Sequence, residues 1–311
     1  MARLGTTDLD IYPICLGGNV FGWTADRDDS FAVLDAYTAA GGNFIDTADG
    51  YSAFAAGNSG GESETMLGEW LRARGNRDSV VLATKVGMWD RRPGLSAANI
   101  RAAADDSLRR LGTDHIDLYY AHQDDDSVPL EETLGAFDEL VRAGKVRHIA
   151  ASNYTAPRLA EALEISRREG LARYVALQPH YNLVERAGFE GELAGLCARE
   201  ELAVLPYFAL AKGFLTGKYR PGDDTSESPR AEGARAYLDE RGVKVLAALD
   251  EIATLRGVPV ASVALAWLLG QPTVAAPIAS ARTTDQLTAL LTAAELRLSE
   301  DELRRLTEAS A

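Results

Sequence analysis

Four ionisable side chains fall where they would act together: Asp46 closes the run NFID, Tyr51 stands five residues later, Lys85 ends VVLATK, and His122 follows IDLYYA. Such a set is equipped to donate a proton to an oxygen that gains negative charge. A tyrosine is a poor acid near neutrality because its pKa lies near ~10, and a neighbouring ammonium eases proton release by stabilising the phenolate. Lys85 supplies that charge, and Asp46 is the obvious partner for an ammonium taken out of water. His122 is suited to donating a hydrogen bond to a substrate oxygen or to relaying the proton. The group therefore suits polarising a carbonyl and protonating the alkoxide that hydride transfer leaves. Singly, each residue has an ordinary role as a turn former, a solvated charge or a satisfied histidine. Spacing joins them: the 39 residues from Asp46 to Lys85 and the 37 from Lys85 to His122 each match one strand-plus-helix unit. No His or Cys pairs occur at metal-ligand spacing, so no metal site is expected, and there is no nucleophile elbow.

The elements that would carry these groups alternate along the chain. Short apolar runs at 14–17, 43–47, 80–85, 116–121, 146–151, 174–178, 202–207 and 274–278 read as strands. Between them, helical periodicity covers 28–40, 62–74, 96–111, 130–143, 156–168 and 243–256. Ser96 and Thr155 stand as helix caps, with Pro157 in a first turn, where its missing N–H costs least. Eight strands alternating with helices predict a parallel sheet closed into a single (β/α)8 barrel, one α/β domain spanning residues 1–311. An N-terminal β-hairpin is expected to close the bottom of the barrel. Helices at 283–292 and 299–308 follow the last strand, the second with a capping box from Ser299 to Glu302. Two Gly/Ser/Pro/Asp-rich segments, 52–61 and 220–233, read as long loops after the second and seventh strands. In such a barrel the chemistry sits at the C-terminal rim, where Asp46, Lys85 and His122 all fall.

Composition narrows the partners. A net charge of −14, from 32 basic and 46 acidic residues, argues against a nucleic-acid or anionic-membrane surface, so anionic ligands must be held locally. The two cysteines, Cys15 and Cys197, lie in apolar stretches and read as free thiols in a reducing cytoplasm. The apolar runs are too short for a membrane span, and no secretory leader is read at the N-terminus. A cytoplasmic location is expected, and the oligomeric state is not legible.

The stretches GGNFIDTADGY (41–51), LATKVG (82–87), DLYYAHQDD (117–125), ASNY (151–154), LQPHYNL (177–183) and GFLTGKY (213–219) resemble the aldo-keto reductase superfamily end to end. The likeness is nearest to bacterial branches related to potassium-channel β subunits. The resemblance implies a catalytic tetrad of Asp46, Tyr51, Lys85 and His122, and NADPH as hydride donor. It implies nicotinamide contacts from Ser152, Asn153 and Gln178, with Tyr207 stacking on the ring. Taken singly, the ordinary readings prevail, Ser152 as a helix cap, Gln178 as a turn hydrogen-bonder and Tyr207 as rim packing; taken with the motif set, the cofactor reading does. Gly22 and Trp23 are expected on the cofactor side as well. The pyrophosphate is expected along 208–218, at Leu210, Lys212, Gly213 and Lys218, with Lys212 read either as a compensating charge or as a solvated loop residue. In this loop Tyr207-Phe208-Ala209-Leu210 departs from the usual Tyr-Ser-Pro-Leu.

After the last strand, Ser280, Arg282 and the helix start near Thr283 offer a hydroxyl, a guanidinium and N–H groups for a ribose phosphate, which favours NADPH over NADH. The plain alternative for Arg282 is a surface charge. Gln286 resembles the family residue near the adenine, whereas Leu290 replaces a frequent asparagine. Phe21, Trp23, Phe54 and Trp89 are expected to wall a pocket for a moderately apolar small-molecule carbonyl compound, or to be rim core. The expected activity is NADPH-dependent reduction of an aldehyde or ketone, with Tyr51 as proton donor. The alternatives are an NADPH-binding regulatory or sensor protein with little turnover, and a cofactor-free barrel isomerase or lyase.

Overall fold

Eight parallel strands form the core: β1 (Cys15–Gly17), β2 (Phe44–Asp46), β3 (Val81–Val86), β4 (Ile116–Ala121), β5 (Val146–Ser152), β6 (Tyr174–Gln178), β7 (Ala203–Val204) and β8 (Ile278–Ala279). Their order in the sheet is β7-β6-β5-β4-β3-β2-β1-β8. The two ends meet where the Val204 N–H donates to the Thr273 carbonyl (2.9 Å), Ala275 N–H to Val204 O (2.9 Å) and Ile278 N–H to Pro206 O (2.8 Å), giving the expected (β/α)8 barrel. This computed structural model describes residues 1–222 and 229–311, so the loop expected at 220–233 lies partly outside the described residues.

The seventh and eighth strands are shorter than the sequence suggests. Pro206 and Pro277 lack the N–H that a ladder needs. Regular pairing therefore covers only Ala203–Val204 and Ile278–Ala279, with Val204 and Val274 joined by an isolated bridge. The helices lie within a few residues of expectation. Ser96, Thr155 and Ser299 accept from the backbone N–H of Asn99, Arg158 and Glu302, and the Ser299–Glu302 capping box is complete. Helices Glu192–Arg199, Ala231–Arg235 and Val260–Leu269 were not anticipated, the short Ala231–Arg235 beginning inside the expected loop. Val260–Leu269 is apolar all round and largely buried, so it carries no amphipathic stripe to read. No single helix among the described residues is long and apolar enough to cross a membrane.

Strand alternation sorts the core into two. Cys15, Phe44, Ala83, Leu118, Tyr120, Ala150, Ala176, Leu205 and Ile278 fill the barrel interior, while Ile45, Leu82, Tyr119 and Ile149 pack outward against the helices. The hairpin of Ala2–Arg3 with Asp10–Ile11 plugs the bottom, adding Leu4, Leu9 and Ile11 to the interior cluster. Two residues beyond the last interior side chain of each segment, the same inward phase reaches Gly17, Asp46, Lys85, His122, Ser152, Gln178, Tyr207 and Ser280. One polar layer thus lies over an apolar interior.

Helices Glu62–Arg74 and Ala97–Leu111 approach so closely at Gly68 that a Cβ there would lie 2.2 Å from the Arg110 carbonyl oxygen. At Gly135, in Leu130–Arg142, nothing lies within 4 Å. In chemical denaturation Gly68→Ala should destabilise by about 1–3 kcal/mol despite its better helix propensity, whereas Gly135→Ala should gain up to ~1 kcal/mol.

Candidate functional site

Lys85 is 0% exposed, and its ammonium donates to three acceptors: Asp46 Oδ2 (2.5 Å), Thr47 O (2.8 Å) and Tyr51 Oη (3.0 Å). An ammonium has three N–H donors, so this one is fully satisfied. Register explains the meeting, since Asp46 pairs with Ala83, two residues before Lys85, and Lys85 pairs with Tyr120, two before His122. The other Asp46 oxygen accepts from Gln178 Nε2 at 3.1 Å, tying β2 to β6 across the mouth. The Tyr51 and His122 rings meet edge-on with centroids 5.9 Å apart.

These contacts fix charge states. Burial lowers the Lys85 pKa, but Asp46 and Tyr51 outweigh it and hold the ammonium above its ordinary value. Burial pushes the Asp46 carboxyl up while Lys85 pulls it down; the ion pair is the form the geometry supports. The Tyr51 phenol is raised by burial and only partly lowered by Lys85, so it carries its proton at neutral pH. Burial and the nearby Lys85 charge push His122 well below its ordinary value, leaving a neutral imidazole.

Above this layer opens a cavity of about 790 Å³, lined by Asp46, Tyr51, His122, Ser152, Asn153 and Gln178. Ser152 Oγ donates to the Gln178 carbonyl (2.9 Å), and Asn153, at φ +56°, accepts from the Tyr207 hydroxyl (2.8 Å) and donates to the His122 carbonyl (2.9 Å). The Tyr207 ring stacks on His180 at 5.2 Å. Leu210, Lys212, Gly213 and Lys218 line the next stretch of the wall. The Phe208 carbonyl accepts from Asn182 Nδ2 (2.9 Å), so a side chain from the β6–β7 connection anchors the loop that lacks Ser-Pro. Lys212 extends along Gly233 and over the Phe208 ring.

Ser280, Arg282, Gln286 and Leu290 form the far end. Thr283 caps the helix Thr284–Glu295, and Gln286 Oε1 accepts from the Arg282 N–H at 3.0 Å. Ser280 donates to Asn19 Oδ1 (2.6 Å), in space that a Cβ on Gly17 would fill.

Besides Lys85, which lies buried beneath the cavity floor, three expected residues stand outside the cavity lining. Phe21 is 0% exposed in the core, and its carbonyl accepts from Ser52 Oγ. Gly22 is a turn residue at φ +72°, its carbonyl bonded to Asn58 Nδ2. Trp89 covers Gly50 and Gly60 and donates to the Ser59 carbonyl, and the neighbouring Met88 faces the cavity instead. Trp23 and Phe54 do line it, packed edge to face at 4.8 Å.

Asn19, Met88 and Arg230 are lining residues that the sequence did not point to. Arg230 sits over the Trp23 ring at 5.2 Å, and burial together with Arg282 lowers its guanidinium from the ordinary value. Its position in a polar, proline-containing loop reads as solvated, so no periodic signal marked it.

The barrel, the buried ion pair and the rim cavity fit a carbonyl-reducing oxidoreductase, and comparison with known proteins supports that class. Residues 13–311 match the model of the Aldo/keto reductase family, and the chain belongs to that family. It is 34% identical over 320 residues to norsolorinic acid reductase B of Aspergillus parasiticus, covering 96% of this chain and 81% of the relative. It is 35% identical to Protein tas of Escherichia coli (98% and 95% covered) and 35% identical to the uncharacterized oxidoreductase YrpG of Bacillus subtilis (98% and 94% covered).

Removing one member of a buried ion pair strands the other. Asp46→Ala should cost about 3–5 kcal/mol in denaturant unfolding, and Asp46→Ala combined with Lys85→Met should recover much of that loss. A double variant no more stable than the single one would show that the pair's charge is not what matters.

Proposed function

We propose that this enzyme reduces an aldehyde or ketone to an alcohol with NADPH, Tyr51 giving the proton. The carrying observation is the Lys85 ammonium, spent on Asp46, the Thr47 carbonyl and the Tyr51 oxygen. The residues present fit a dinucleotide phosphate. Lys212, Lys218, Arg230 and Arg282 line a cavity whose one lining carboxylate among the described residues, Asp46, is already paired, in a protein of net charge −14. Ser152, Asn153 and Gln178 would hold the carboxamide, Tyr207 the ring face, Leu210, Lys212, Gly213 and Lys218 the pyrophosphate, and Ser280, Arg282 and Gln286 the adenosine end.

Bound NADPH would supply the hydride to the carbonyl carbon. The Tyr51 hydroxyl donates a hydrogen bond to the carbonyl oxygen and then gives it the proton as the C=O π bond becomes a C–O single bond. The phenolate left on Tyr51 is stabilised by Lys85, whose charge Asp46 secures. Neutral His122 contributes a hydrogen bond rather than charge. At the mouth, the Trp23–Phe54 pair and Met88, with Phe54 64% and Met88 46% exposed, offer apolar surface for the body of the substrate.

In stopped-flow or steady-state oxidation of NADPH with a panel of aldehydes, Tyr51→Phe should lose ~100-fold or more in kcat. Cofactor binding, read by fluorescence titration, should stay intact; full activity of Tyr51→Phe would refute the role.

Arg282→Ala should weaken NADPH about 10–100-fold and leave NADH nearly unchanged, as expected for losing one charge-assisted contact. An unchanged preference would remove Arg282 from the phosphate site.

A further inference from the structure

Beneath the turn that carries Tyr51 lies a carboxyl that the proposed chemistry does not use. Asp49 is 1% exposed, and beyond the N–H of the adjacent Gly50, which draws its carboxyl downward, neither of its oxygens has a hydrogen-bond partner among the described residues. Its backbone N–H donates to the Lys85 carbonyl at 3.2 Å, so the residue is fixed between the two ends of the Lys85–Tyr51 contact. Gly50, the one residue between Asp49 and Tyr51, is held by Trp89: a Cβ there would sit 3.0 Å from the Trp89 Cβ. Arg92 and Arg110 lie over the Trp89 ring at 5.9 and 5.8 Å.

The charged and titratable groups facing Asp49 come from every element around it. Glu64, on helix Glu62–Arg74, is 0% exposed and already bonded to Thr84 Oγ1 and Arg110 Nε at 2.6 Å each. Arg110 comes from helix Ala97–Leu111, Arg92 from the β3–β4 connection, and Tyr119, fully buried, from β4. Arg110 is committed to Glu64 and one Arg92 nitrogen to Asp106, while the Arg92 Nη1 is buried without a hydrogen-bond partner among the described residues. A charge on Asp49 would therefore be a second buried carboxylate beside Glu64, opposed only by two guanidinium groups that already serve other carboxylates.

We propose that Asp49 is a positioning residue for Tyr51: neutral, it lets the turn hold the phenol against Lys85, and on ionising it displaces the turn and slows proton donation. This inference rests on the role proposed for Tyr51. Burial first, and Glu64 second, raise the Asp49 carboxyl from 3.8 to about 7. Tyr51 and Lys85 move upward and His122 well downward, away from neutrality, whereas burial raises the Asp46 carboxyl, which Lys85 holds in the ion pair. The Asp49→Asn variant is therefore what assigns a limb near neutral pH.

The sign follows from linkage. Between 3.8 and about 7 the folded protein binds the Asp49 proton and the unfolded chain does not, so Asp49 makes stability fall as pH rises through that window. Asp49→Asn, permanently neutral and of the same shape, removes the fall. In thermal melts of the protein without cofactor, the variant should match the parent below pH ~4 and melt higher above pH ~8. In pH profiles, the parent kcat should drop about tenfold or more as pH rises through neutrality, while Asp49→Asn stays flat and its NADPH affinity is unchanged.

A parent profile with no limb near neutrality, or a limb that survives in Asp49→Asn, overturns the proposal. If Asp49→Asn does not fold, Glu64→Gln decides: without the facing carboxylate the limb must move to lower pH, and an unmoved limb overturns the proposal. An inactive Tyr51→Phe with an unchanged limb in Asp49→Asn sinks only this inference, whereas a fully active Tyr51→Phe sinks the reading beneath it.

Discussion

The site depends on one buried ammonium. Removing a lysine charge from water costs several kcal/mol unless hydrogen bonds and an opposite charge return the loss. Lys85 recovers it with three acceptors drawn from one segment, Asp46, Thr47 and Tyr51, so that satisfying the lysine fixes the β2 end and the turn after it. The Tyr51 oxygen is placed because Lys85 has a third proton to give. Gln178 extends the constraint to β6 through the second Asp46 oxygen, joining the wall proposed for proton donation to the wall proposed for the nicotinamide.

Much of this was legible because a parallel barrel writes its interior in a period of two. Phe44 then Asp46, Ala83 then Lys85, Tyr120 then His122, Ala150 then Ser152, Ala176 then Gln178 and Leu205 then Tyr207 are each two apart, and each pair steps from apolar interior to polar rim. The pattern does not require long strands. β7 pairs regularly over only two residues, yet Tyr207 arrives in the same phase, held by Pro179 and by an isolated bridge to His180.

What could not be read lies where that period stops. Met88 and Trp89 are neighbours, and only the short antiparallel pairing with Arg92 and Pro93 decides which of them faces the cavity. Phe21 sits in a turn whose geometry is set by contacts with a distant loop, Ser52 to its carbonyl and Asn58 to that of Gly22. Asp49 sits in the same sequence stretch as Asp46 and Tyr51 and reads as a turn aspartate. Only three-dimensional packing reveals that it is sealed in beside Glu64, because Glu64, Arg92 and Arg110 come from three separate connections and helices.

The cavity also reconciles an acidic protein with the anionic cofactor proposed for it. Surface charges more than a Debye length away, about 10 Å at moderate ionic strength, contribute little, so the local lining decides. That lining places Arg282 close enough to oppose the charge of Arg230, whose guanidinium burial already lowers. An anion between them turns a repulsion into two attractions. Arg230 also covers Trp23, which pairs with Phe54 at the mouth. Arg230 thereby joins the cationic far end of the cavity to the aromatic pair at its mouth.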